Sequence, residues 1–460
     1  MSNLNVCLLN TTDNFVAGKV HACSKQWKML SKEKWIHHVV QGSILVFDSL
    51  PIQNALPRPL NLSVADSMAL GNAIVGFLKQ GIVERSIISG GQGFFSNVFP
   101  IIKPDGTARV ILNLKNFNEY ITHVHFKMES ISDVINLVQH NCYFMSVDFK
   151  DAYFSVYVKP DDRKWLRFMW KGESFHFTFI LQGLTSAPRI FTKLLKPVLS
   201  HLWKLGIAIL YYIDDCISVA SSVAELCNNV TYALQLFDAL GLTINVQKPV
   251  LTPTQEIEFL GIVLNSVSMT ATLPSRRREH IKQQGQFLLC DNITLWDLAS
   301  FVGLSVASAP AVPLASIRYK YLEIIRNKEL GYNHGNYDVP VSLDDHAKDL
   351  IRWWIYHNDS QSNSLLTSPP HLELYTDASL TGWGAAFGNS KTGGHWAADE
   401  RLHINYLELK AIFLGLQSFC GKCVDTHIRI RSDNTTAVAC INRCGSTKPH
   451  LNEITERNYA

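Results

Sequence analysis

Residues 209–221, ILYYIDDCISVAS, place two adjacent carboxylates, Asp214 and Asp215, between two short apolar runs. The runs have the length and the β-branched and aromatic content of strands, so the stretch predicts a hairpin with strands at 209–213 and 216–220. Asp is common in tight turns, and the doublet alone is compatible with an ordinary surface turn. The other interpretation is a cleft in which divalent metal ions neutralise both carboxylates, since Mg²⁺ prefers oxygen ligands.

The composition predicts a water-soluble, well-packed protein. The chain has 460 residues, of which 47% are hydrophobic and 18% charged, so we expect roughly two to four domains with their own cores. It contains no apolar run of membrane-spanning length, and its first residues lack the features of a secretory signal. Together with ten scattered cysteines, this predicts an intracellular protein, cytoplasmic or nuclear, with reduced thiols. The net charge of +3 implies that nucleic acid would be bound by local basic clusters.

Shifts in composition divide the chain into four blocks. Residues 1–70 are expected to form an irregular N-terminal extension that packs on the rest. Residues 71–265 are dense in short apolar runs and contain the doublet. Residues 266–365 are predicted to be mainly helical, and a polar linker then leads to a compact final block at 371–460.

A third carboxylate matches the doublet. The stretch FMSVDFKDAYFSV, residues 144–156, predicts a strand that ends at Asp148. Taken alone, Asp148 fits a strand-end cap better than a metal ligand. One strand carrying one carboxylate beside a hairpin carrying two is, however, the arrangement that two-metal phosphoryl transfer needs, with ions roughly 3.5–4 Å apart.

Five motifs resemble, in order and spacing, those of reverse transcriptases. They are VDFKDAYF (147–154), ILQGLTSAPRIF (180–191), YIDD (212–215), LGLTINVQKP (240–249) and FLGIVL (259–264). Retrotransposon enzymes, particularly the DIRS type, are most similar, because there a stretch like residues 17–47 precedes the polymerase domain. The resemblance implies an α+β right-hand polymerase, with fingers and palm at 71–265 and thumb and connection helices at 266–365.

The resemblance also implies catalytic roles for four residues. Asp148 and Asp214 would ligate both metal ions, with Asp215 adjacent to them. Lys248 matches a basic residue that donates a proton to pyrophosphate. Taken singly, that lysine would be an ordinary surface charge.

Five residues correspond to the family's nucleotide site. Lys103 and Arg109 match a basic pair on a fingers hairpin that grips the triphosphate, although either could be a plain surface charge. Asp151 and Gln182 would line the sugar and phosphates. Tyr153 occupies the place of an aromatic gate that excludes a ribose 2′-hydroxyl.

A turn beyond these motifs corresponds to the primer site. Phe259, Leu260 and Gly261 would lie under the primer terminus. One position departs from the family, since Asn113 stands where an acid that supports structure is often found.

The final block carries a second set of acids. Residues 372–388 predict a strand, a turn and a second strand, with Asp377 at the end of the first. Glu408 lies in the first turn of a predicted helix at 405–419, and Asp433 ends a further strand that precedes another helix. This order resembles ribonuclease H, an α/β fold that uses two metal ions to cut the RNA of an RNA–DNA hybrid.

The ribonuclease H-like block is expected to be C-terminally incomplete. The resembling family uses a fourth acid on a late helix, and only 27 residues follow Asp433. Glu453 and Glu456 are the acids among them, and they come too early to match. We therefore expect DNA synthesis with weak or absent RNA cleavage.

The cysteines near the C-terminus allow a further interpretation. Cys420, Cys423, Cys440 and Cys444 have a spacing similar to that of zinc sites. Their predicted positions in and after two helices favour ordinary thiols.

The predicted function is an RNA-directed DNA polymerase of a retrotransposon. Its expected cofactor is Mg²⁺, two ions per active site, with Mn²⁺ as an alternative. Its expected partners are an RNA template, a DNA primer, their hybrid and deoxynucleoside triphosphates, and no membrane. An RNA-directed RNA polymerase would carry a second acid where Tyr153 stands. A decayed or domesticated element product that binds nucleic acid without catalysis stays open as the alternative.

Overall fold

The computed structural model describes residues 16–86, 93–102, 106–245, 251–290, 292–366, 369–397, 402–423 and 426–459. The chain divides into two compact units, Met1–Ile257 and Glu258–Ala460. Among the described residues, no helix is both long enough and apolar enough to cross a membrane.

The first unit combines helices with three small sheets. Its helices are α1 (Lys19–Ala22), α2 (Ser24–Leu30), α3 (Lys34–Gln41), α4 (Val64–Lys79), α5 (Lys115–Asn118), α6 (Ile131–Ile135), α7 (Ala187–Lys204) and α8 (Val223–Ala239). Its strands are β1 (Val83–Arg85), β2 (Val98–Ile102), β3 (Ala108–Leu112), β4 (Tyr143–Asp148), β5 (Arg167–Trp170), β6 (Glu173–Phe177), β7 (Ala208–Tyr212) and β8 (Asp215–Ala220).

The central sheet of this unit has the antiparallel order β4–β8–β7. Helices α7 and α8 pack on it. In α7 the buried side chains Ile190, Phe191, Leu194, Leu195 and Val198 recur at spacings of three and four residues, which puts one apolar helix face against the sheet. The sheet thus has a covered face and an end at which side chains can converge.

Two further sheets complete the first unit. Strands β2 and β3 form a hairpin, and β1–β6–β5 form an antiparallel sheet. Their apolar side chains join those of the central sheet and its helices in one hydrophobic core.

The second unit contains two four-stranded sheets and seven helices among its described residues. Its strands are β9 (Glu256–Phe259, whose first two residues end the first unit), β10 (Ile262–Asn265), β11 (Thr270–Thr272), β12 (Ser362–Ser364), β13 (Leu372–Ala378), β14 (Gly382–Phe387), β15 (Ser390–His395) and β16 (Ile428–Arg431). Its helices are α9 (Ser275–Leu288), α10 (Leu295–Ser308), α11 (Ala315–Tyr332), α12 (Asp345–His357), α13 (Ile404–Cys420), α14 (Thr435–Asn442) and α15 (Pro449–Arg457).

The sheets of this unit have the orders β12–β11–β10–β9 and β15–β14–β13–β16. In the second sheet β13 and β16 run parallel, while β13–β14 and β14–β15 are antiparallel. Helix α13 packs on β13 and β14. Gly415 allows this packing, since a Cβ there would lie 3.1 Å from Ala385 and 3.2 Å from Thr376.

Two expectations about secondary structure were wrong. The N-terminal block is not irregular, because residues 19–41 form α1, α2 and α3 and because α4 continues across residue 70. The final block has a third consecutive strand, β15, where two strands were predicted before the helix. The mainly helical character expected for residues 266–365 is confirmed by α9 to α12.

Candidate active sites

The carboxylate doublet lies on the hairpin that the sequence predicts. Tyr212 of β7 pairs with Asp215 of β8, which leaves Ile213 and Asp214 as a two-residue turn. Ile213 has a φ of 57°, a left-handed conformation that is unusual for a β-branched residue. Backbone strain of this kind concentrates at functional sites.

Asp148 joins the doublet at the same end of the central sheet. It is the last residue of β4, and its register partner on β8 is Asp215. The amide of Phe149 donates a hydrogen bond of 2.8 Å to the carbonyl of Asp214. Burial raises the pKa of the neighbouring Cys216 thiol well above its usual value, and the charges of Asp215, Asp148 and Asp214 act in the same direction. Negative charge is therefore concentrated at this end of the sheet.

Asn245 belongs to this site and was missed by the sequence reasoning. Its side-chain amide donates to Oδ2 of Asp148 at 2.9 Å. Its backbone amide donates to the Asp148 carbonyl at 2.7 Å. The only signal in the sequence is its place inside the motif LGLTINVQKP.

Tyr153 lies near the doublet, in a 3₁₀ turn formed by Ala152–Ser155. Its ring packs edge-on against Phe191, with centroids 6.0 Å apart. Burial raises the pKa of its phenol, and the Asp214 carboxylate adds to the rise. The side chain is therefore a neutral, partly buried ring close to the carboxylates. Asp151 precedes the turn with a φ of 49°.

Gln182 is exposed on a turn before α7. Asn118 holds that turn, because its side chain donates to the Gly183 carbonyl at 2.7 Å and accepts from the Thr185 amide at 3.0 Å. In the hairpin of β2 and β3, Arg109 is exposed on β3.

Two of the predicted residues, Lys103 and Lys248, lie outside the described residues. Asn113, which departs from the family pattern, accepts a hydrogen bond of 3.2 Å from the Lys115 amide through its side chain.

The predicted primer-contacting residues form the tight turn between β9 and β10 in the second unit. Leu260 and Gly261 have φ values of 49° and 74°, as in the two-residue turns that suit a hairpin. Phe259 is buried. A Cβ at Gly261 would displace the flexible guanidinium of Arg277, and the positive φ is what favours glycine at this position.

The acids of the final block form a cluster. Asp377 on β13, Glu408 on α13 and Asp433 just after β16 offer oxygens that all lie within 4.8 Å of one another. Burial raises the pKa of Glu408, and the charges of Asp377 and Asp433 add to the rise. Three converging carboxylate oxygens that repel one another fit a hard divalent cation.

This triad is the only such group of His, Cys, Asp or Glu side chains within the described ranges. The thiols of the four C-terminal cysteines do not converge in this way within those ranges, although Cys423 follows Cys420 in a tight turn. Asp148, Asp214 and Asp215 share one end of the central sheet, but their carboxylate oxygens do not all lie within 4.8 Å of one another. Glu456 bonds to Asn452 and lies 3.9 Å from His346, so its contacts are structural.

The segment that carries Asp148 and the doublet is similar to known proteins. Residues 101–264 match the family model described as reverse transcriptase (RNA-dependent DNA polymerase). The Pro-Pol polyprotein of simian foamy virus type 3 (strain LK3) is 22% identical over 230 residues, which are 49% of this chain and 18% of that protein. The transposon Tf2-3 polyprotein of Schizosaccharomyces pombe is 25% identical over 224 residues, 48% of this chain and 16% of that protein. The chain thus spans less than a fifth of the length of these relatives.

Solved structures of a foamy viral protease-reverse transcriptase share the fold. The complex with double-stranded DNA has a TM-score of 0.58 and 17% identity, covering 86% of this chain and 81% of that one. The complex with an RNA/DNA hybrid has a TM-score of 0.54 and 17% identity, covering 93% and 57%. The expected polymerase fold is confirmed. Residues 101–264 thus match the reverse transcriptase domain, and proteins similar to this chain include polyproteins of a foamy virus and of a transposon.

Proposed function

We propose that this chain is an RNA-directed DNA polymerase of a retrotransposon, with Asp148 and Asp214 as its essential carboxylates. The observation that carries the proposal is their position. In a segment that matches the reverse transcriptase family, two strands and one turn bring Asp148, Asp214 and Asp215 to one end of a sheet. The DIRS-type assignment belongs to this proposal and depends on the N-terminal stretch 17–47.

We assign the residues of this site to metal binding and to nucleotide binding. Asp148 and Asp214 provide oxygen ligands of the kind that Mg²⁺ prefers. When bound, two such ions would activate the primer hydroxyl and screen the departing phosphate charge. Tyr153 would exclude a ribose 2′-hydroxyl, since its partly buried ring is held by Phe191. Gln182, Asp151 and the basic residues of the fingers hairpin would orient the nucleotide.

Primer extension on an RNA template tests the proposal. Asp148→Asn and Asp214→Asn should each lower the rate by far more than tenfold while thermal denaturation and template binding stay nearly unchanged. Asp161→Asn, at an exposed acid of a 3₁₀ turn, is the matched control. A retained rate above about one tenth of wild type, a loss of less than ~1.4 kcal/mol, would contradict the assignment. Template binding without any extension by the wild type would favour the alternative of a domesticated binding protein.

A second function is favoured by the carboxylate triad. We propose that the final block is ribonuclease H-like and binds divalent metal through Asp377, Glu408 and Asp433. Labelled RNA in an RNA–DNA hybrid, incubated with the wild type and with Asp377→Asn, measures its cleavage. Robust cleavage that Asp377→Asn removes would support ribonuclease H activity and contradict the expectation of weak or absent cleavage. Cleavage that survives this change would show that the triad is not the site.

A further inference from the structure

Asn245 makes two hydrogen bonds to one residue, Asp148, which lies 97 positions earlier in the chain. Its side-chain amide donates to the carboxylate and its backbone amide donates to the carbonyl. Asp148 is only 8% exposed, so water has little access to orient its side chain. A neutral amide donor can orient the carboxylate without neutralising the negative charge that binds a metal ion.

The segment around Asn245 lies along the strand end as a short additional strand. Lys150 donates its amide to the carbonyl of Thr243 at 2.8 Å. Phe149 and Ile244 form an isolated antiparallel bridge. These backbone contacts fix the register, so the amide of Asn245 comes to Asp148 as part of a paired backbone.

The N-terminal helices hold the start of the same segment. The indole nitrogen of the fully buried Trp27 donates to the Leu240 carbonyl at 2.9 Å. Lys19 forms an ion pair of 2.6 Å with Asp238. Gly241 approaches α1 so closely that a Cβ would lie 2.5 Å from the Lys19 backbone. Residues 240–245 are thus held at one end by α1 and α2 and at the other by Asp148.

We propose that Asn245 is a positioning residue of the polymerase site, which fixes the Asp148 carboxylate for metal binding, and that the N-terminal helices brace the segment that carries it. This inference rests on the proposed function. Residues that orient a metal ligand through hydrogen bonds typically change metal affinity or activity by about 10- to 100-fold when they are removed.

Two substitutions separate hydrogen bonding from packing. Asn245→Ala removes the donor and part of the volume, whereas Asn245→Leu removes the donor and keeps a similar volume. Both keep the backbone hydrogen bond to Asp148, so the register of the segment is retained. Asn333→Ala is the control, because its side chain donates to a backbone carbonyl, that of Glu329, at 2.8 Å.

The first readout is Mn²⁺ binding, followed by electron paramagnetic resonance in the full chain without substrates. All chains in this titration carry Asp377→Asn, so that the triad of the second unit does not dominate the signal. We expect both Asn245 variants to bind Mn²⁺ about 10- to 100-fold more weakly, and Asn333→Ala to match its parent. The second readout is primer extension, in which kcat should fall while KM for primer–template stays within about twofold.

The outcomes separate this inference from the proposed function. Unchanged Mn²⁺ affinity in both variants, or retention by Asn245→Leu alone, would overturn the positioning role. Failure of both variants to fold would also overturn it, by showing that Asn245 is needed for folding. A wild type that binds Mn²⁺ but makes no DNA would refute the polymerase assignment, while the Mn²⁺ affinities would still decide the role of Asn245.

Discussion

Gly241→Ala tests whether the N-terminal helices brace the proposed polymerase site. Gly241 follows α8 with a φ of 79°. Its amide bonds to the Asp238 carbonyl and the next amide bonds to that of Phe237, which is the common glycine ending of a helix. A Cβ here would lie 2.5 Å from the backbone of Lys19. Backbone atoms cannot rotate away as a side chain can, so α1 would have to move.

Gly206→Ala is a matched control within the same unit. Gly206 follows α7 with a φ of 78°, and Gly206 and Ile207 repeat the same hydrogen-bond pattern. A Cβ there meets nothing within 4 Å. Both substitutions therefore carry the left-handed backbone strain of about 1–2 kcal/mol. Only Gly241→Ala adds overpacking, which typically costs about 1–3 kcal/mol.

Denaturation of the full chain and amide hydrogen exchange measure the difference. We expect Gly241→Ala to destabilise the chain by about 1–3 kcal/mol more than Gly206→Ala. Exchange in peptides covering residues 19–41 should accelerate in Gly241→Ala alone, because local opening of the helices becomes easier. Equal stability losses together with equal exchange in that region would refute the bracing contact.

Three further changes have distinct expected results. Tyr153→Ala should raise the relative kcat/KM for ribonucleotides by at least about tenfold, or ~1.4 kcal/mol; an unchanged ratio would mean that the ring only fills the core. Glu408→Gln should raise Tm in EDTA, because it relieves repulsion within the triad, and should reduce the Tm gain from added Mg²⁺; the opposite pattern would contradict metal binding there. Asp344 accepts hydrogen bonds from Tyr321 and from the Ala347 amide at the start of α12; burial acts to raise its pKa, but these bonds outweigh it and lower the pKa. The stabilisation of the fold by ionised Asp344 should be present above the ordinary Asp pKa of about 3.9 and be lost as pH falls through the lowered pKa. Asp344→Ala should therefore lower the free energy of unfolding by about 0.5–2 kcal/mol at pH 7 and by less in acid. A stability gap that does not shrink in acid would contradict that reasoning.

The elements that carry the acids could be predicted from sequence because their signals are local. The apolar runs on both sides of Asp214 have strand character over five or six residues, and β7 and β8 begin within one residue of the expected positions. The strand before Asp148 and the helix that carries Glu408 follow in the same way from periodicity.

The missed features depend on contacts between distant residues. The sequence around Asn245 predicts a polar loop residue, and only the fold brings its side chain to Asp148. Strand β15, SKTGGH, has two glycines and little β-branched content, so its own β propensity is low. Its pairing with β14 stabilises it as a strand. The helices at 19–41 are short, and the burial of Trp27 and Ile36 in the core of the first unit stabilises them more than propensity can.

The most direct test of the central claim is DNA synthesis by the full chain on an RNA template. A labelled DNA primer annealed to RNA is incubated with all four deoxynucleoside triphosphates and Mg²⁺, in parallel with Asp214→Asn. We expect extension to the template end by the wild type and none by the variant. No extension by a folded wild type that binds the hybrid, or equal extension by Asp214→Asn, would contradict it.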